Sequence, residues 1–515
     1  MKFRIFLLAA LLMLLCSVAF AETDITGEWH YIGALDHGDF IPAEESYTYT
    51  LKTGGSLTYA GPGFSVSGFW VNSNGVNLIF ADGGEWVATL LDNGTLLLGN
   101  HITGTVFSRD GIPAFAALEP GMTEDGFLYE QQSDGTLVIT GHKTNDEPCP
   151  RDENGFPTKA LDMVIPAKIN GLTVASVANG AFYGNRQLRT VVIPDGVRHI
   201  GRDAFADCSF LTSVTIPETV NAIERYAFSG CERLVKAALP ASLQELTGNP
   251  FAGCESLTAI ELAQGNRWFT VKDGALIHRT EKAVYAFPCG SGQTVYTVPE
   301  NVTHVELAAF MGCRNLQDVI LHEGVTRIDS YAFERSGLTH ITLPVGLTRL
   351  GSNPFATCYS LACVDVEAGN ARYRSMDGVL FDQETDALIY YPAGKTDAAY
   401  SIPQGTKVID WDAFVHQPHL TAITVADTVE RIEGYAFYGM ERLNSITIPD
   451  SVTHLGGCAF GECMALESLE LPASITQVAP ETFVYSGLKR LTVAEGTAID
   501  ELAFAECGKV EVIFK

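Results

Sequence analysis

Basic residues are scarce in this 515-residue chain. Lysine and arginine number 33 against 61 aspartate and glutamate residues, which gives a formal net charge of −28 at pH 7. Nucleic acids and anionic lipid surfaces attract basic patches and repel a chain with this balance. The composition therefore argues against nucleic acid or an anionic membrane as a partner.

Long hydrophobic runs are absent after residue 18. The single run, residues 5–18, is shorter than the roughly 20 apolar residues that a membrane-spanning helix needs. It follows Lys2 and Arg4 and ends at the small residues Ala19 and Ala21, an order typical of a secretory signal peptide. We predict that residues 1–21 are a signal peptide and that the mature chain is secreted, either released or associated with the cell surface, without a transmembrane segment.

The common motifs of catalytic and metal sites are also missing. No Cys-x-x-Cys, Gly-x-Ser-x-Gly or His-Glu-x-x-His sequence occurs, which removes the usual signatures of zinc, thiol-redox and hydrolase sites. Gly394-Lys395-Thr396 resembles the end of a phosphate-binding loop, but Ile389 stands where that loop needs its first glycine. We predict no catalytic residue, cofactor or metal ion, and no enzymatic activity.

A phenylalanine, usually preceded by alanine, recurs through the C-terminal two-thirds of the chain. Ten of the eleven gaps between these anchors are 22 to 23 or 59 residues long, and the last is 21. A fixed period of this length indicates a solenoid, in which each coil buries its apolar side only against its neighbours. The anchors are Phe182, Phe205, Phe228, Phe251, Phe310, Phe333, Phe355, Phe414, Phe437, Phe460, Phe483 and Phe504.

Each coil repeats the same apolar positions. In the second copy Phe205 is followed by Val214 and Ile216, and this alternation predicts a strand with one buried face. Pro217 cannot donate to a strand ladder and is best placed at the strand end. The expected fold is mainly β, a solenoid of about 12 coils over residues 161–515.

Both 59-residue gaps contain 36 additional residues, near 264–299 and 368–403. The two insertions match each other at an offset of 104, so that Asn266 corresponds to Asn370 and Phe287 to Tyr391. An Asp-Gly turn beside alternating apolar residues predicts a hairpin in each. We expect this additional β-structure to project from the stack.

The coil pattern is Ala-Phe-x-x-Cys-x-x-Leu-x-x-Val-x-Ile-Pro, and residues 377–395 contain Asp-Gly-Val-Leu-Phe and Tyr-Tyr-Pro-Ala-Gly-Lys. These features resemble the BspA-type branch of leucine-rich repeats, over about residues 125–515. The resemblance implies a leucine-rich-repeat solenoid. It also implies an exported bacterial protein, since members of that family are typically exported and several adhere to host or matrix proteins.

Residues 22–118 lack the repeat and alternate aromatic residues with frequent turns, which predicts a small antiparallel β-barrel or sandwich. Its opening Gly-x-Trp and late Phe-Ser-Arg resemble lipocalin-like domains, which implies a pocket for one apolar ligand lined by Trp70 and Trp86. The other interpretation is that these tryptophans fill the core. Residues 119–160 are expected to be a linker and a hairpin that caps the solenoid.

Most cysteines share one repeat position. A residue that recurs three positions after the anchor forms a stacked column, where cysteine acts as a small buried hydrophobe. The same position holds Asn185, Ser336 or Met440 in other coils, so bridging is not required. The redox state of Cys149, Cys289, Cys363 and Cys458, outside the column, stays open. The column comprises Cys208, Cys231, Cys254, Cys313, Cys358, Cys463 and Cys507.

Three histidines, His199, His304 and His454, occupy the position six residues before the anchor. Other coils carry glutamate or arginine there, so the position tolerates either charge sign. We expect these histidines to be exposed to solvent rather than bound to a metal.

The outward positions of the predicted strand, about eight and ten residues after each anchor, are the candidate binding face. Solenoids use such extended surfaces to bind partners, although threonine also simply suits an exposed strand. The candidate residues are Thr215, Glu261, Thr342, Asp365, Thr424, Thr447, Glu470 and Thr492.

The predicted function is that of a secreted, non-catalytic recognition or adhesion protein with a protein or glycan partner. One alternative is a carrier that holds a small apolar ligand in the N-terminal barrel. Another is an extracellular hydrolase whose acidic site follows no known motif, which convergent carboxylates in a cleft would support.

Overall fold

The chain divides into two compact units, Met1–Glu119 and Pro120–Lys515. The computed structural model describes the backbone of nine strands between residues 27 and 108, and the full residues 121–132, 134–145, 150–151, 157 and 159–515. The predicted signal peptide lies outside the described residues. No helix that could cross a membrane is found in the part of the chain that the structure describes.

The first unit contains an antiparallel sheet in which β3 to β9 are neighbours in chain order, whereas β1 pairs with β2, β3 and β9. Its strands are β1 (Gly27–Asp36), β2 (Asp39–Pro42), β3 (Thr48–Lys52), β4 (Ser56–Gly61), β5 (Phe64–Ser73), β6 (Val76–Ala81), β7 (Gly84–Leu90), β8 (Thr95–Gly99) and β9 (Gly104–Ser108).

The second unit begins with an antiparallel hairpin that joins the solenoid, because β12 pairs in parallel with β15. The strands up to the first insertion are β10 (Gly121–Met122), β11 (Phe127–Gln131), β12 (Leu137–His142), β13 (Leu161–Val164), β14 (Lys168–Ile169), β15 (Leu172–Val177), β16 (Leu188–Val192), β17 (His199–Ile200), β18 (Ser213–Thr215), β19 (Ala222–Ile223), β20 (Lys236–Leu239), β21 (Glu245–Leu246) and β22 (Ala259–Leu262).

The same arrangement continues between the two insertions. These strands are β23 (Phe269–Lys272), β24 (Ala275–His278), β25 (Ala283–Ala286), β26 (Val295–Thr297), β27 (His304–Val305), β28 (Asp318–Ile320), β29 (Arg327–Ile328), β30 (His340–Leu343), β31 (Arg349–Leu350) and β32 (Cys363–Val366).

The second insertion and the last coils complete the solenoid. Their strands are β33 (Tyr373–Met376), β34 (Val379–Asp382), β35 (Ala387–Tyr390), β36 (Ala399–Ser401), β37 (Val408–Ile409), β38 (Ala422–Thr424), β39 (Arg431–Ile432), β40 (Ser445–Thr447), β41 (His454–Leu455), β42 (Ser468–Glu470), β43 (Gln477–Val478), β44 (Arg490–Val493), β45 (Ala498–Ile499) and β46 (Glu511–Phe514).

Most coils contribute a two-residue strand before the anchor, and a strand of three to five residues follows it; the exceptions before the anchor are the longer strands β15, β25 and β35. Coils pair in parallel with their neighbours, which gives a short-strand column such as β17-β19-β21 and a long-strand column such as β36-β38-β40. The anchor rings lie between the columns and stack from coil to coil. Phe205, for example, lies 4.9 Å from Phe182 and 5.2 Å from Phe228, measured between ring centroids. The predicted mainly β leucine-rich-repeat solenoid is confirmed.

The solenoid has about 15 turns rather than the predicted 12, because strands β12 and β13 form a further coil ahead of the first anchor and each insertion adds one. In the first, β25 pairs in parallel with β27 and the ring of Phe287 packs 5.5 Å from that of Phe310. In the second, Tyr391 lies 5.2 Å from Phe414. The expectation that the insertions project is wrong, since β24 and β25 are buried along their whole length.

A buried asparagine holds the start of each insertion. The Asn370 amide nitrogen donates to the carbonyl oxygens of Pro344 (2.9 Å) and Leu347 (3.0 Å), and its side-chain oxygen accepts from the amides of Arg372 and Tyr373. Asn266 makes the same four kinds of contact in the first insertion. Each asparagine side chain thus makes four hydrogen bonds to backbone groups. A buried amide needs such partners, which explains why both insertions have asparagine at this position.

The backbone around each anchor enters the left-handed region two residues after the phenylalanine. Glycine fills this position in several coils, including Gly230 and Gly439, but Thr357 adopts φ of 52° there. A β-branched residue is strained at such a φ, and the Thr357 hydroxyl is buried without a hydrogen-bond partner.

We therefore expect Thr357→Gly to raise the free energy of unfolding by about 1 kcal/mol, because strain and an unpaired hydroxyl are both removed. Guanidinium unfolding of the full chain measures the change. Thr348→Gly is the matched control, since Thr348 is exposed and outside the left-handed region, and it should lower stability. A Thr357→Gly protein that is less stable than the parent would contradict the prediction.

Candidate functional site

The long-strand column presents most of the predicted binding residues to solvent. Their side chains alternate with buried ones on the same strands, as in the exposed-buried-exposed pattern of β18, because successive residues of a strand point to opposite faces. Seven of the eight predicted residues are exposed: Thr215, Glu261, Thr342, Asp365, Thr424, Thr447 and Glu470.

Strand register brings some of these residues together. Thr342 is paired with Asp365 and Thr424 with Thr447 on adjacent coils. Thr215 and Glu261 are not neighbours, because the strand that carries Ala238 lies between theirs along the chain. The face is therefore built of local groups of residues.

Thr492 was expected on the exposed face, but it is buried, with only 9% of its surface exposed. It lies on β44, between β42 and β46. The Lys515 ammonium, at the end of β46, reaches the Glu470 carboxylate on β42 at 3.1 Å and so spans the strand of Thr492. Sequence spacing identified the outward position but not this covering side chain.

A groove of about 450 Å³ lies on the same face near its C-terminal coils. Thr447, Glu470 and Thr492 all line it, together with Pro472 and Lys515. Three of the eight predicted residues thus meet around one concave surface. Its mixture of a hydroxyl, an ion pair and apolar walls suits a polar partner surface better than a purely apolar ligand.

Ion pairs on this face connect adjacent coils. Lys236 contacts Glu261 at 2.9 Å and Arg490 contacts Glu511 at 3.3 Å, with all four side chains more than half exposed. Exposed pairs of this kind contribute at most about 1 kcal/mol each.

Six of the seven column cysteines are buried, and Cys507 is partly exposed. The Cys208 thiol donates to the carbonyl oxygen of Phe182 at 3.1 Å, and Cys463 repeats the contact with Phe437 at 3.2 Å. Burial raises the pKa of Cys254 and Cys463 to about 12, so these thiols stay protonated and unreactive. The column is structural.

Cys313 lies in the cysteine column but is not a free buried thiol, because it forms a disulfide with Cys289. Bridging became possible when the insertion added a coil that places Cys289 next to Cys313, 24 residues away along the chain. Cys363 and Cys458 are free thiols, and Cys149 lies outside the described residues.

The histidines six residues before the anchor pair with acids that lie four residues before an anchor. These acids were not predicted from the sequence. His199 binds Glu224 at 2.9 Å and His304 binds Glu306 at 3.0 Å. His304 is not solvent-exposed as expected, since only 15% of its side chain is accessible. The repeat spacing could have identified these acids, because aspartate or glutamate recurs four residues before the anchor in several coils.

His304, Glu306 and Asp329 bring ligand atoms within 4.8 Å of one another, a spacing that a metal ion could use. The Arg327 guanidinium, however, binds both Asp329 carboxylate oxygens at 2.6 Å. It already supplies the positive charge that an ion would bring, so the cluster is an ion-pair network.

The tryptophans of the predicted barrel pocket lie on β5 and β7. Trp70 is paired with Ile79, and Ile79 with Trp86, so the three occupy one row across adjacent strands. Their side chains lie outside the described residues.

A family model described as the BspA type leucine rich repeat region matches residues 173–275, 282–377 and 407–515, in six copies. None of the curated proteins matches the chain.

Several solved leucine-rich repeat structures are similar to the chain. A leucine rich cell surface protein from Faecalibacterium prausnitzii is 26% identical, covering 76% of this chain and 94% of its own, with a TM-score of 0.47. The pneumococcal vaccine antigen PcpA is 19% identical, with coverage of 77% and 98% and a TM-score of 0.36. A leucine-rich repeat protein from Eubacterium ventriosum is 19% identical, with coverage of 70% and 93% and a TM-score of 0.40.

Proposed function

Since the chain belongs to the family of BspA type leucine-rich repeat proteins, we propose that it is a secreted, non-catalytic recognition protein whose long-strand face binds a protein or glycan partner. The observation that carries this proposal is the groove in which Thr447, Glu470 and Thr492 meet on that face. A rigid stack of coils holds these residues in place before a partner arrives, which reduces the entropy cost of binding.

Export from the cell is supported by two independent features. The sequence begins with a signal-peptide pattern, and Cys289 and Cys313 form a disulfide, a bond that persists mainly in oxidising compartments. We place the mature protein outside the cell, in contact with other extracellular molecules or surfaces.

Two of the acids that lie four residues before an anchor, Asp329 and Glu433, are unsuited to acid–base catalysis. Asp329 is held by Arg327, and Glu433 is held by Arg431 at 2.8 Å. A general acid or base must be able to exchange a proton with substrate, and carboxylates bound to arginine are poor candidates for that role.

The proposal is tested with the full mature chain immobilised as bait for host-matrix and bacterial-envelope extracts. We expect the double variant Thr447→Arg and Glu470→Arg to lower partner capture at least about tenfold, because large cations would block the groove and reverse its charge. The double variant Glu430→Arg and Gln477→Arg is the matched control, since both residues are exposed outside the groove. Equal capture by the two variants, or no capture by the parent, would refute the proposed function.

A further inference from the structure

A second concave site lies where the second insertion interrupts the short-strand column. The sheet that ends at β31 and the sheet that contains β35 do not pair, and a cleft of about 350 Å³ opens at this junction. Its lining includes Tyr331, Asn353, Asp382, Asp410, Trp411 and Asp412.

Asp410 lies four residues before its anchor, Phe414, and has no salt-bridge partner within the described ranges. Of the equivalent acids, Glu306, Asp329 and Glu433 each contact a histidine or arginine six residues before their anchors. Asp500, in the last coil, has no ion pair among the residues that the structure describes. The corresponding residue for Asp410 is Val408, which cannot neutralise it. Asp410 Oδ1 accepts the amide of Trp411 at 2.9 Å, and burial raises the pKa of the Asp410 carboxyl, with nearby acids acting in the same direction.

Asp412 adds a second carboxylate without a salt-bridge partner among the described residues. Its Oδ2 accepts the Asn353 amide at 2.6 Å, and burial raises its pKa also. Asp382, by contrast, is held by the Arg372 guanidinium at 3.0 Å and by the amide of Glu384. The cleft therefore contains one compensated and two uncompensated acids.

An aromatic surface adjoins these acids. Trp411 is 55% exposed although it is one of the largest apolar side chains in the chain. Its ring lies 6.2 Å from that of Tyr435 on the next coil. Aromatic faces attract cations, most strongly when the cation is partly removed from water.

The first insertion provides an internal comparison, because its junction has the same backbone arrangement with different side chains. At the offset of 104, Leu307 and Ala308 replace Trp411 and Asp412, whereas Asn249 corresponds to Asn353. Asn249 donates to the Ala308 carbonyl oxygen at 2.8 Å instead of to a carboxylate. Glu306, which corresponds to Asp410, is paired with His304. The unpaired acids and the aromatic ring are therefore a property of the second junction's side chains, not of the coil geometry.

We propose that this cleft binds a basic side chain, arginine or lysine, of a protein partner. The inference rests on the proposed recognition function and specifies the chemistry of the partner. Asp410 and Asp412 supply the carboxylate acceptors, and Trp411 supplies an aromatic face against which the guanidinium or ammonium group and its aliphatic stem pack. A cation at this position restores the acid–base pairing found in the neighbouring coils.

Calorimetric titration of the full mature chain with Nα-acetyl-arginine amide tests the inference, with the uncharged citrulline analogue as the matched ligand. We expect the arginine probe to bind at least about tenfold more tightly than the citrulline probe, because a charge-assisted hydrogen bond is lost with the charge. This comparison needs no variant and is independent of any folding defect. Equal affinities, or no binding of the arginine probe, would overturn the inference.

Variants then locate the site. Asp410→Asn, and the double variant Trp411→Leu with Asp412→Ala that copies the first junction, should weaken the arginine probe about tenfold or more. Asp427→Asn, an exposed acid away from the cleft, should bind like the parent. Unchanged affinity in Asp410→Asn would reject the cleft as the site. Tighter binding of calcium than of arginine, or Asp410-dependent cleavage of a neutral glycan, would reassign it to a metal or to catalysis.

The two proposals fail separately. The groove variant Thr447→Arg with Glu470→Arg should bind the arginine probe normally, because its substitutions lie on the long-strand face. If the cleft does not bind the arginine probe, the inference about the cleft fails, and partner capture by the groove can still be measured. If the groove variant loses partner capture while it still binds the probe, the loss is due to the groove and not to the cleft.

Discussion

Replacing Phe228 by alanine is expected to lower the free energy of unfolding by about 3 to 5 kcal/mol, the usual cost of truncating a buried phenylalanine. The ring is fully buried and stacks 5.2 Å from Phe205 and 5.7 Å from Phe251, measured between centroids. The substitution therefore leaves a cavity that two neighbouring coils share. Guanidinium unfolding followed by circular dichroism measures the loss.

Tyr359→Ala is the control for this prediction, because Tyr359 is an aromatic residue of the same repeat array that is 56% exposed. Its removal should change stability by no more than about 0.5 kcal/mol. A Phe228→Ala protein that unfolds at the same denaturant concentration as the parent would show that the anchor rings do not carry the coil core.

Loss of the Cys289–Cys313 disulfide should lower the free energy of unfolding by about 3 kcal/mol. The bond closes a segment with a sequence separation of 24 residues, and restricting the unfolded chain over such a length is worth roughly this amount. The double variant Cys289→Ser with Cys313→Ser measures it, by denaturant unfolding with and without dithiothreitol.

Dithiothreitol should destabilise the parent and leave the double serine variant unchanged. Cys363→Ser is the matched control, since Cys363 is a free, partly exposed thiol, and it should keep the parent's sensitivity to reductant. If reductant shifts neither the parent nor this control, the two cysteines are not bridged in the folded protein.

Elements that repeat were predictable from the sequence. The anchor spacing and the alternation that follows each anchor define one coil, and a coil of this kind has no stable alternative to stacking on its copies. The correspondence of Asn266 with Asn370 was equally visible, because each asparagine satisfies four backbone groups at an equivalent bend. The outward positions of the long strands were predicted from the two-residue alternation of apolar and polar side chains. Seven of the eight residues predicted in this way are exposed.

Contacts between unlike coils were not predictable. The buried hairpins of the insertions, the additional coils at Phe287 and Tyr391 and the Cys289–Cys313 bond all depend on which coil an insertion rests against. Spacing along the chain does not contain that information. The burial of Thr492 likewise depends on a lysine that arrives from β46.

The sequence by itself determined the coil, its buried positions and the family, because these are local patterns repeated at a fixed period. The tertiary structure alone decided which side chains meet beside the insertions and which charges remain unpaired there. Asp410 and Trp411 are unremarkable in the sequence, and only the junction between two unpaired sheets places them around one cleft. The physical reason is that a periodic core constrains every coil alike, whereas a site forms where the periodicity is broken.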